Sequence, residues 1–101
     1  MINKFLNQIS FNSTEDFAKN YKVNVPSNFN FAYDVVDEWA KIAPSKNALC
    51  WVNDKGEHKR ITYKELKEKS DQAASFFLQL GINKGDMVML ILKRRLQFWY
   101  A

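Results

Sequence analysis

ITYKELKEKSDQAASFFLQLGINKGDMVMLIL, running from Ile61 to Leu92, is the stretch whose reading decides the fold. Thr62-Tyr63-Lys64-Glu65 is a capping box: the threonine hydroxyl can accept from the backbone N–H three residues on, while Glu65 reaches back to the N–H of Thr62. A long helix is therefore predicted to begin there. Tyr63, Leu66, Ser70, Ala73, Ala74, Phe77 and Leu80 repeat at threes and fours along it, and Gly81 stands where a left-handed cap would close it. The small Ala73 and Ala74 suit close approach to a neighbour. Lys84-Gly85-Asp86 reads as a turn, and Met87 to Leu92 then follow as an apolar run without alternation. A strand with no polar face is one covered on both sides, as in a parallel sheet under helices. Helix followed by buried strand is half of an α/β layer.

Upstream, Ala48-Leu49-Cys50-Trp51-Val52 and His58-Lys59-Arg60-Ile61-Thr62 flank the polar turn Asn53-Asp54-Lys55-Gly56-Glu57, which predicts a β-hairpin. Before it, Ala32, Val35, Val36, Trp39, Ala40 and Ala43 make one apolar helical stripe, and Pro44 stops it. The first 30 residues read as an extended lead-in, broken by Pro26, with a short helix near 14–20 capped from Asn12-Ser13 and carrying Phe17 and Tyr21 on one side. Downstream, Lys93-Arg94-Arg95-Leu96-Gln97-Phe98-Trp99-Tyr100-Ala101 starts a helix of the kind that covers a sheet, with no glycine, proline or cap to close it. The expectation is one partial domain over 1–101, its remainder missing.

Composition narrows the function classes. The chain has 101 residues, 47% of them hydrophobic and 15% aromatic, a globular balance and too few residues for a closed catalytic cleft. Fifteen Lys and Arg against 11 Asp and Glu leave a formal charge of +4, mixed along the chain, and this argues against nucleic acid as a partner. Cys50 has no cysteine to pair with, and with His58 alone it does not complete a zinc set. A reducing cytoplasm is the expected location. The start lacks an uninterrupted apolar core, and no run has the length of a membrane span.

Taken together, FNFAYDVVDEWA at 29–40, ALCWVND at 48–54 and ITYKELKEKSDQAASFFLQLGINKGDMVMLILKRRLQFWYA at 61–101 resemble the N-terminal region of AMP-forming acyl-CoA synthetases, in the acetyl-CoA synthetase and medium-chain acyl-CoA ligase branch of the adenylate-forming superfamily. The resemblance implies an α/β fold class: a fragment of the large adenylation domain, with helices, a hairpin and, at 87–92, the first strand of a core sheet. It implies an acid–CoA ligase parent that turns a carboxylate and ATP into an acyl-adenylate and then passes the acyl group to CoA. ATP, magnesium and CoA are implied for the full-length form and none for this fragment. The family's Ser/Thr/Gly-rich phosphate loop and late catalytic lysine lie beyond the matching region, so no catalytic, cofactor-binding or metal residue is assigned and the fragment alone is expected to be inactive.

Several residues still invite a functional reading. Lys93, Arg94 and Arg95 could neutralise phosphates, or simply be solvated charges of a turn at the carboxyl end of a strand, where α/β proteins place ligands. His58 sits beside a hairpin turn with no nucleophile paired to it, and reads as an exposed strand histidine. Cys50 reads as a small core residue. Asp34, Asp37 and Glu38 read as a solvated helix face, and Trp39, Trp51 and Trp99 as packing residues. The rival to the ligase fragment is an interaction module, completed by self-association or a partner chain through the strand and helix at the C-terminal end.

Overall fold

A computed structural model describes residues 2–101, which form two compact units, one up to Asn30 and one from Phe31 onward. In the first, Ser13 caps α1 (Thr14–Asn20) by accepting from the backbone N–H of Asp16 at 3.1 Å. Asp16 in turn accepts from the N–H of Asn12 at 2.9 Å and from the Asn20 amide at 2.6 Å. These bonds, the backbone one first, hold its carboxyl below the usual aspartate range. Phe17 and Tyr21, one turn apart, stack at 4.8 Å, and Phe11 meets Phe17 edge-on at 5.1 Å. Leu6 and Val23 form an isolated antiparallel bridge.

The second unit begins as a π-helical stretch, Ala32–Asp37, that continues without a break into α2 (Glu38–Ile42). The helix expected from the apolar stripe is present, but its first part is wound more widely; six residues are too few for their spacing to separate 3.6 residues per turn from a wider coil. Val36, on this stretch, is one of two buried hydrophobic residues among those described, the other being Ile61.

β1 (Asn47–Val52) and β2 (His58–Thr62) pair antiparallel, Leu49 opposite Ile61, Cys50 opposite Arg60 and Trp51 opposite Lys59. A register shift between Asn47 and Leu49 leaves both Ala48 and Leu49 half-buried. The connecting turn is organised by Asn53, whose side-chain oxygen accepts from the N–H groups of Lys55 at 3.0 Å and Glu57 at 2.9 Å. The chain reverses through Gly56 at φ +78°.

Thr62 ends β2 and starts α3 (Tyr63–Gln79). The capping box is complete: Glu65 N–H donates to the Thr62 hydroxyl oxygen at 3.2 Å, and Thr62 N–H donates to the Glu65 carboxylate at 2.8 Å. At the far end Gly81, at φ +80°, donates to the carbonyl of Leu78 at 3.0 Å, and Ile82 donates to that of Phe77 at 3.1 Å. This pair of bonds is a Schellman cap, and it needs a residue at ease with positive φ. Of the predicted stripe, Tyr63, Leu66, Ser70, Ala73 and Phe77 are half-buried, whereas Ala74 and Leu80 are exposed.

Met87–Leu92 departs from expectation. The segment is neither a strand nor buried; among the described residues the only sheet is the β1–β2 hairpin, and Met87, Met89 and Ile91 are exposed. The cause is the lack of neighbours: a central strand is stabilised by ladders on its flanks and layers on its faces, and none is in place for this segment. The α/β class holds, with its sheet at the hairpin. The chain closes with α4 (Gln97–Tyr100), a single turn that packs against α3.

Thr62→Ala is expected to destabilise the chain by about 1 kcal/mol, and Gly81→Ala, which must hold a positive φ, by about the same, read by reversible thermal unfolding. The Thr62 backbone N–H, followed by its hydroxyl, holds the Glu65 carboxyl below its ordinary range. The capping contribution is therefore complete above the ordinary glutamate pKa and is lost as pH falls through the depressed folded value. Glu65→Gln is expected to flatten that acid limb in unfolding measured against pH.

Candidate functional site

Two concave surfaces meet around Leu49 and Trp99. The first, of about 360 Å³, is apolar: Phe31, Val35 and Val36 supply one wall, Leu49, Tyr63 and Leu66 a second, and Trp99 and Tyr100 a third. The elements converge there for local reasons. Tyr63 leads α3 and stacks on Trp39 of α2 at 5.5 Å, and the Lys46 ammonium covers the Trp39 ring at 4.0 Å. Burial raises the Tyr100 hydroxyl above its usual pKa, with the Glu65 carboxylate adding to the shift. The lining offers contact area and no paired acid and base.

The second surface, of about 410 Å³, runs from Leu49 to Val52 on β1 to Leu92–Arg95, with Phe98 and Trp99 at its edge; a polar extension takes in Asn53 and Asp54. Its key contact is long-range: the Trp51 indole N–H donates to the carbonyl of Arg94 at 2.6 Å, fastening the basic turn to the hairpin. Lys93, Arg94 and Arg95 are exposed, and none of them is in an ion pair among the described residues. They can attract an anion, and they bring no nucleophile or base with them.

The remaining candidates are scattered. His58 is exposed opposite Val52. Cys50 is exposed as well, contrary to its reading as a core residue, because the inner side of β1 belongs to Leu49 and Trp51 and the alternation turns Cys50 outward. That alternation was a usable signal. The Trp51–Arg94 bond joins positions 43 residues apart and has no local signature.

Asp37 meets the Lys67 ammonium at 3.5 Å, Lys67 also reaches Asp71 at 2.6 Å, and Glu38 pairs with Lys41 at 2.9 Å. The Asp71 bond is the main cause that raises the Lys67 pKa, with Asp37 assisting. The Asp37–Lys67 pair ties the π-helical stretch to α3, while the other two pairs each lie within one helix. Among the described residues no group of three His, Cys, Asp or Glu is assembled. The glycines Gly56, Gly81 and Gly85 stand at positive φ in turns and at a helix cap.

The arrangement is a capped helix, a hairpin and an apolar seam. The chain belongs to the family described as AMP-binding enzyme, which matches residues 36–101. It is 35% identical over 98 residues to the mitochondrial acyl-coenzyme A synthetase ACSM3 of Homo sapiens, covering 91% of this chain and 17% of that protein. It is 43% identical over 82 residues to human mitochondrial ACSM2A, and 38% identical over 81 residues to mitochondrial ACSM4 of Rattus norvegicus, covering in both cases 74% of this chain and 14% of the relative. The chain thus spans less than a fifth of the length of these relatives. The kinship read from 29–40, 48–54 and 61–101 is borne out.

The cytoplasmic expectation is overturned, since these relatives are mitochondrial enzymes. A lone cysteine reports a reducing environment and does not tell one reducing compartment from another. No helix among the described residues is long and apolar enough to cross a membrane.

Trp51→Phe keeps the ring and removes the donor to Arg94. Tryptic cleavage at Lys93–Arg95 is expected to quicken about fivefold, the effect of losing roughly 1 kcal/mol of hydrogen bonding, while α3 helicity stays unchanged.

Proposed function

We propose that this chain is the N-terminal structural segment of an AMP-forming acyl-CoA synthetase and contributes frame, not catalytic groups, to its adenylation domain. The observation that carries the reading is the family match over 36–101, together with relatives whose matching part is 17% or less of their length. In the full-length form a carboxylate oxygen attacks the α-phosphorus of ATP and pyrophosphate leaves. The CoA thiol then attacks the acyl carbonyl and AMP leaves. Adenylation is needed because a carboxylate oxygen is a poor leaving group and a phosphate monoester is a good one.

The segment's part in this is mechanical. Its capped helix, hairpin and apolar seam give the rest of the domain a preformed surface, and the contacts to ATP, magnesium, CoA and the acyl group belong to the remainder. The acyl group would be a fatty or other carboxylic acid, and the compartment of the parent that of its mitochondrial relatives.

The 101-residue chain is therefore expected to give no ATP–pyrophosphate exchange with acetate, butyrate or longer acids above a protein-free blank. Exchange that depends on the acid, and that is abolished by a substitution within 1–101, would overturn the scaffold reading.

A further inference from the structure

We draw no further inference here: the strongest candidate, the exposed cationic turn Lys93–Arg95 against Asn53 and Asp54 of the hairpin, carries none, because it holds surface cations with an aspartate beside them and nothing in the structure shows what covers it.

Discussion

The first four N–H groups of an α-helix have no partner within it, and at the start of α3 all four are satisfied from outside the helix ladder. Thr62 N–H donates to the Glu65 carboxylate, Tyr63 N–H to the carbonyl of Lys46, Lys64 N–H to that of Pro44, and Glu65 N–H to the Thr62 hydroxyl oxygen. Two of those acceptors lie in the loop that follows α2, and Thr62 is the last residue of β2. The α2 loop, the hairpin and the long helix are therefore fixed to one another by a single set of bonds. The Trp39–Tyr63 stack and the Lys46–Trp39 contact sit beside that junction and close it with apolar area. Removing the junction would free three elements at once.

From that point outward, the chain completes whatever can be completed locally. The hairpin closes through Asn53, and α3 closes through its Schellman cap. Lys67, set between Asp37 and Asp71, links the two helices by charge. The groups left over are an extended apolar segment without a ladder, a half-exposed Trp99, and a cationic turn that is in no ion pair among the described residues.

The features legible in the sequence are those whose cause lies within a few residues. Thr62 and Glu65 specify a helix start three positions apart, Gly81 marks its end through the conformation that the cap demands, and the polar stretch 53–57 between the runs 48–52 and 58–62 specifies a turn. The family was legible too, because it rests on order and spacing over most of the chain. Met87–Leu92 misled because composition reports what a segment needs and not whether the chain supplies it. Cys50 misled because a residue type was weighed without the alternation around it. The wide coil at 32–37 is too short to show a period, and the Trp51–Arg94 bond joins residues with no local relation. The mitochondrial relatives were beyond reach for another reason: a compartment leaves no mark on the packing of this segment.

The extended segment also shows how anchoring replaces pairing. A strand without a ladder ordinarily loses its geometry, since nothing offsets the entropy of holding each residue extended. Here the turn at Asn83–Asp86 fixes where the segment starts, and the Trp51 indole fixes where it ends, so the freedom left to the residues between is that of a chain tethered at both ends. Val88, Leu90 and Leu92 are exposed too, but less so than Met87, Met89 and Ile91. With both ends held, part of the ordering cost of adding a strand is met before any ladder forms. The hairpin thus has a second role beyond its own pairing: through one side chain on β1 it keeps a distant segment in the conformation that a sheet will accept.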